Sequence, residues 1–239
     1  MNKLKRSHDR KVTNLVNNKG NGSLIQNTFG LPAGKNYSCP GATSVCEKVC
    51  YAGKLEKLYK AVKANLLHNW ELLKEADQET MYQLLDDMIQ DFKKDCEKKD
   101  APKLFRIHWD GDFFSAEYTR AWKRVIEKNT DTQFWVYTRV FTSALMLKDI
   151  SNLSLYYSTD SENTNFANIL ADKGIKLAYL ADTFAMGKEQ LLAMVGKIGV
   201  PCPENNKKIK LIDNNGSACV KCGQCVFNRN NILFSATKK

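Results

Sequence analysis

Seven of the eight cysteines fall into two short groups, and these constrain the fold more than any other feature. The first lies in residues 38–52, SCPGATSVCEKVCYA, and holds Cys39, Cys46 and Cys50. The second comprises Cys202, followed by Pro203, and the run Cys219-Val-Lys-Cys222-Gly-Gln-Cys225. The basic N-terminus is followed by no apolar stretch and no apolar run is long enough to span a bilayer, so neither a secretory leader nor a membrane partner is expected. The expected location is the cytoplasm, where reducing conditions favour thiolates on metal over disulfides. Cys96, with no cysteine neighbour, reads as an ordinary helix residue.

The two groups differ in ligand number. Cys219, Cys222 and Cys225 recur every third residue, a run similar to ferredoxin-type ligation, with Cys202 as the remote fourth ligand and Gly223 allowing the backbone to wrap a cluster. Zinc also accepts four thiolates, usually as two separated pairs, and stays open as an alternative. In the first group Cys46 and Cys50 are four apart, so one helical turn puts both on one face. Three thiolates on a [4Fe-4S] cube leave one iron for a substrate or for S-adenosylmethionine. A structural site whose fourth ligand comes from elsewhere is the plainer alternative.

Between the cysteine groups the periodicity alternates. Residues 23–28 read as a short first strand, and a helical repeat starts at Lys54 and runs through Leu73. Asp77 is placed to cap a second helix. Strands are expected at residues 104–109, 133–138, 153–158 and 176–180, with helices at about 115–128, 142–147, 164–172 and 187–195. Strand-helix alternation implies a parallel sheet with helical crossovers, and such sheets place chemistry beyond the carboxyl ends of the strands. Those ends carry Asp110, Asp112, Arg139, Ser158, Asp160 and Asp182. Asp110 and Asp112 are candidates for a base or for holding an amine or hydroxyl, and Arg139 for clamping a carboxylate or phosphate. Each has a plainer role, as a helix cap or an ion pair. His108, on a strand between apolar neighbours, reads first as a core histidine. The net charge of +10 permits a nucleic-acid partner without locating one.

The element order resembles that of radical S-adenosylmethionine enzymes, in which a three-cysteine loop follows the first strand and the second ends in a Gly-Gly-Glu-like motif. Here Asp110-Gly111-Asp112 stands at that strand end, Cys50-Tyr51-Ala52 resembles the end of the cluster loop, and Ser158-Thr159-Asp160 falls where a short polar motif is common. The cysteine spacing is six residues then three, where that family usually has three then two. The resemblance implies cofactor contacts at Tyr51, Asp110, Gly111, Asp112, Ser158 and Asp160. More closely, the chain resembles the phage gene-product-eighty-eight family, through LPAG (31–34), SCPGA (38–42), CYA (50–52), the GD after Asp110, YTR (137–139) and the closing CP and CxxCxxC. This implies a bacteriophage origin and, with it, the cytoplasm of a host cell as the location. A rolling-circle nuclease label on some members finds no paired metal-binding histidines here, since His8, His68 and His108 lie far apart.

The expected architecture is α/β: a basic polar arm over residues 1–22, a partial (β/α) barrel of parallel strands over residues 23–200, and a C-terminal cysteine-rich iron–sulfur extension over residues 201–239. The expected function is that of a radical S-adenosylmethionine-like protein with two [4Fe-4S] clusters, S-adenosylmethionine as a possible cofactor, an unnamed substrate and an electron donor. The alternative is a non-enzymatic iron–sulfur protein that binds nucleic acid or a host protein.

Overall fold

The structure, a computed structural model, describes residues 3–8, 25–213 and 216–237. Five strands pair in chain order and in parallel: β1 (Thr28–Gly30), β2 (Leu104–Asp110), β3 (Gln133–Thr138), β4 (Leu153–Thr159) and β5 (Lys176–Ala181). Parallel neighbours require crossovers. The first comprises α1 (Ser44–Val49), α2 (Tyr51–Leu58), α3 (Lys60–Leu73) and α4 (Gln78–Lys98), and the next three are α5 (Ala116–Lys128), α6 (Phe141–Leu147) and α7 (Thr164–Asp172). Side chains that start these helices explain where they begin. Asp77 accepts from the Thr80 amide at 2.7 Å, and Ser115 from the Tyr118 amide at 3.1 Å.

Successive right-handed crossovers moving one way across a sheet stack their helices on one face. Phe105, Ile107, Phe134, Val136, Leu155, Tyr157, Leu177 and Tyr179 point to that face and form one core with Phe92, Trp122, Leu147 and Leu170. Their strand neighbours Trp135, Tyr156 and Ala178 point the other way, as the two-residue repeat demands.

After β5 the order reverses. Helix α8 (Phe184–Val195) leads to β6 (Val200–Pro201) at the far edge, and β9 (Ile232–Ser235) slots between β5 and β6, parallel to both. A right-handed return in the opposite direction must cross the opposite face. The cysteine-rich segment makes that return, through the small hairpin β7 (Ile212–Asp213) and β8 (Gly216–Ser217) and the short helix α9 (Ala218–Cys222). It covers Trp135, Tyr156 and Ala178 with Val226, Cys219, Cys225 and Cys202. Both faces are therefore buried, which is why the strands read as near-continuous apolar runs.

Several expectations are corrected. The sheet is open, with β1 and β6 as edges and no pairing between them among the described residues. Within residues 201–239, expected as a C-terminal extension, β9 pairs with β5 and β6 and so belongs to the sheet. The first strand is Thr28–Gly30, later than residues 23–28, of which 23 and 24 lie outside the described residues. The helix expected through Lys54 and Leu73 breaks at Tyr59, whose backbone is extended (φ −121°, ψ 103°). Of the expected arm, residues 3–8 are docked: Leu4 is buried, Ser7 bridges Thr28, and Asn69 bonds both the amide and the carbonyl of Lys5. Residues 9–22 of the arm lie outside the described residues. No helix among the described residues is long and apolar enough to cross a membrane.

Candidate thiol site at the strand ends

The register of β2 sets the site. Thr28 pairs with Arg106 but Gly30 pairs with Asp110, so β2 carries two extra residues. His108 takes up the excess with φ +58°, an αL conformation uncommon for a non-glycine residue and typical of bulges that re-aim side chains. It sends the imidazole to the helix face, where Nε2 lies 2.9 Å from the Tyr118 hydroxyl among Phe29, Phe113 and Trp122. Burial, helped by the Arg106 charge, lowers its pKa to about 3, so it is a neutral core histidine. The same bulge delivers Asp110 to the strand end.

Three loops lock together there. Gly111 has φ +82°, and a Cβ on it would stand 2.4 Å from the Ser38 hydroxyl, so only glycine fits. Ser38 is fully buried, donates to the Pro32 carbonyl at 2.7 Å and accepts from the Asp112 amide at 3.3 Å. The Gly34 carbonyl accepts from the Cys39 amide at 3.1 Å. Gly41 lies against the backbone of Arg139, whose carbonyl oxygen would be 2.5 Å from a Cβ.

Asp112 and Arg139, candidates for catalysis, are committed to this lock. Asp112 Oδ1 accepts from the Thr138 hydroxyl and the Phe113 amide, and Oδ2 from the Arg139 amide, at 2.7–2.8 Å. Burial raises its pKa to about 6 against the opposing pull of these bonds. The Arg139 guanidinium donates to Asp160 Oδ2 at 2.6 Å and to the Thr43 hydroxyl at 3.3 Å, forming a buried ion pair. Thr43 in turn donates to Asp160 at 2.6 Å and caps α1 at the Cys46 amide. Both residues position the cysteine loop. Asp160, expected to contact a cofactor, is the anchor of that pair. Ser158 is half-buried one residue before Thr159, its carbonyl accepting from Asn163 at 3.2 Å.

Around the lock stand the three thiols. Cys46 lies in α1, and Cys50 joins α1 to α2, its sulfur accepting from the Gly53 amide at 3.3 Å. Burial comes first in raising the pKa of each of the three. Asp112 and Asp110 raise Cys39 further, Asp110 raises Cys50, and Cys46 feels Cys50 beside it, with Arg139 opposing. Without a cation these groups are neutral thiols. All eight cysteines are free. Among the described residues no three His, Cys, Asp or Glu side chains are grouped closely enough to hold a metal ion.

Asp110 lies close enough to Cys39 and Cys50 to act on both electrostatically. Its Oδ1 accepts from the Gly111 amide at 2.9 Å, while Oδ2 is buried with no donor on it. Beside it lies Glu56, on α2, whose own Oε1 accepts from the Ala33 amide at 2.8 Å. Burial and then Glu56 push the Asp110 pKa up to about 9, a carboxyl that keeps its proton, as one of two adjacent carboxylates does. In the unfolded chain it ionises near 3.8. Through the window between those values the folded state holds a proton that the unfolded state has lost, so stability falls as pH rises. Asp110→Asn removes that contribution. Its Tm advantage over the unaltered metal-free protein grows between about pH 5 and about pH 8. A difference constant with pH contradicts this.

The second cysteine group lies on the sheet face opposite the crossover helices. Cys225 senses Cys202 and Cys222 and hydrogen-bonds Tyr137; burial comes first in raising its pKa, to about 12. The Tyr156 hydroxyl donates to the Gln224 and Asn230 carbonyls, and Ser154 to the Val226 carbonyl at 2.7 Å. Gly223 ends α9 with φ +65°. Between the groups sits Arg106, 5.8 Å from the Tyr137 ring centroid and donating to the Tyr51 hydroxyl at 3.4 Å. Tyr51 donates to the Trp109 carbonyl at 3.0 Å, which fixes its ring at the rim of the site.

Sequence reasoning missed Glu56, Ser38, Thr43 and Arg106. Ser38 and Thr43 flank cysteines inside a quoted motif, and that nearness was the available signal. Glu56 gives none, as one acid in a lysine-rich helix. A cleft of about 430 Å³ is lined by Leu147, Asp149 and Lys173 at the opposite ends of the strands and holds no cysteine.

Comparison with known proteins places this arrangement. Residues 2–228 match the family model described as Gene product 88. The chain is 56% identical over 244 residues to the Gene 88 protein of Mycobacterium phage L5, covering all of both chains. It is 55% identical over 242 residues to the Gene 88 protein of Mycobacterium phage D29, covering 99% of each. No solved structure matches. The family match covers nearly all of the chain, the interlocked loops included, and the chain belongs to the Gene product 88 family.

Proposed function

We propose that the chain is an iron–sulfur protein of the radical S-adenosylmethionine type, with a three-thiol site for chemistry and a four-thiol site that is structural or redox-active. The observation that carries this reading is the contrast between the two thiol groups. Cys39, Cys46 and Cys50 stand beyond the strand ends, with the Asp110 carboxyl, itself beside Glu56, acting on Cys39 and Cys50. Cys202, Cys219, Cys222 and Cys225 lie packed beneath Tyr137 and Tyr156.

The donor chemistry fits such clusters. Residues 44–64 form α1, α2 and the start of α3 with Ala52 as their one fully buried residue, so apolar burial alone does little to hold them. Thiols at Cys46 and Cys50 give a metal the means to fix that segment. Cys39, Cys46 and Cys50 would hold one [4Fe-4S] cluster, and Cys202, Cys219, Cys222 and Cys225 the other. When bound, the first supplies an electron and an open coordination position for the methionyl end of S-adenosylmethionine. The protein's own part is positional. The Arg139–Asp160 pair and Asp112 fix the loop, Tyr51 and Trp109 form the rim, and Asp110 offers a protonated carboxyl to a polar group of the bound molecule. Protein reconstituted without air and given dithionite and S-adenosylmethionine releases 5′-deoxyadenosine. Full iron occupancy with no cleavage contradicts the enzymatic reading.

A further inference from the structure

The outer surface of the thiol segment has a chemistry of its own. Between Glu47 and Glu71 the chain carries five lysines, Lys48, Lys54, Lys57, Lys60 and Lys63, and a single acid, Glu56. Glu56 is turned inward to the Ala33 amide and Asp110. All five lysines are exposed, and none makes an ion pair among the described residues. Elsewhere lysines do find acids: Lys74 meets Glu71, Lys93 and Lys103 meet Asp131, and Lys128 meets Asp86. The same short stretch exposes Leu58 (71%), Tyr59 (56%) and Tyr51 (44%). Concentrated positive charge carries like-charge repulsion, and no ion pair among the described residues offsets it here.

We infer that this surface, from the end of α1 through α2 to the start of α3, binds single-stranded nucleic acid, phosphates on the lysines and unstacked bases on Tyr59, Leu58 and Tyr51. Charge complementarity selects a polyanion. The exposed rings select a single strand over a duplex, because a duplex keeps its base faces stacked, whereas single-strand binders combine a basic track with aromatic platforms. The surface borders the thiol site through Cys50 and Tyr51, so a strand held here passes its rim. The inference needs only the chain's own surface and stands apart from the cluster chemistry: strand binding without cofactor cleavage fails the enzymatic reading alone.

The test is fluorescence anisotropy with a labelled oligothymidylate of about 20 nucleotides, longer than one binding site of this size. With five phosphates neutralised on a single strand, the affinity falls about a hundredfold between about 50 and 200 mM salt. Lys54→Gln/Lys57→Gln/Lys60→Gln leaves two contacts, and the fall shrinks to about tenfold. Tyr59→Ala weakens the single strand at constant salt slope, whereas Lys188→Gln/Lys197→Gln, outside the surface, changes nothing. Unaltered melting temperatures show that the exposed variants are folded. The inference is overturned by absence of binding, by affinity that ignores the three lysines, by a duplex of equal length binding as tightly, or by anionic vesicles outcompeting the strand.

Discussion

Arg139→Met destabilises the protein by about 3–5 kcal/mol, the range for removing one partner of a buried ion pair. The guanidinium and Asp160 are both buried, and Asp160 Oδ2 receives the short bonds from Arg139 and Thr43. Removing the arginine leaves a carboxylate in low dielectric with one hydroxyl donor on that oxygen. The loss then travels along the chain. Thr43 caps α1 at Cys46 and shares Asp160 with Arg139, so the first thiol loop loosens with the pair. Urea unfolding measures the energy, and iron retained after reconstitution measures the loop. Adding Asp160→Asn to Arg139→Met recovers a large part of the energy, because the stranded charge is gone. If the single variant costs less than about 1 kcal/mol, as a surface pair would, the assigned role is wrong.

Cys225→Ala has a comparable effect by another route. The thiol lies between Cys202, Cys222 and the Tyr137 hydroxyl, and its segment shields Trp135, Tyr156 and Ala178 from water. If a metal group at the four thiols binds the folded state alone, its binding energy is folding energy, about 4 kcal/mol at a thousandfold excess over Kd. For a chain of this size that is a fall in Tm of roughly 8–16 °C. Half of the bound iron is lost, and tryptophan fluorescence shifts as Trp135 meets solvent. In metal-free protein the same substitution costs far less. An equal cost with and without metal contradicts the account.

How far the sequence reveals this molecule depends on which residues one asks about. Strands β2 to β5 and helices α4, α5, α6 and α7 are plain because each is long enough to show its period and is bounded by caps such as Asp77 and Ser115. Strand β9 is not, since Ile232-Leu-Phe-Ser is four residues behind a polar loop, and whether it pairs is decided by β5 and β6, far away in the chain. The cysteine groups are visible as spacing, but spacing does not say that one stands at the strand ends and the other lies on a sheet face. That follows from the handedness of the return from β6. The strand-end charges divide in the same way. The sequence lines up Asp110, Asp112, Arg139 and Asp160, and only the fold shows Arg139 bound to Asp160, Asp112 bound to backbone, and Asp110 left facing the thiols beside Glu56.

Iron and acid-labile sulfide in protein purified without air test the central claim most directly. Two filled sites give about eight irons and eight sulfides per chain, with a brown colour from thiolate-to-iron charge transfer, and Cys46→Ser and Cys222→Ser each remove half. Colourless protein that holds zinc or no metal at either group of thiols contradicts the account.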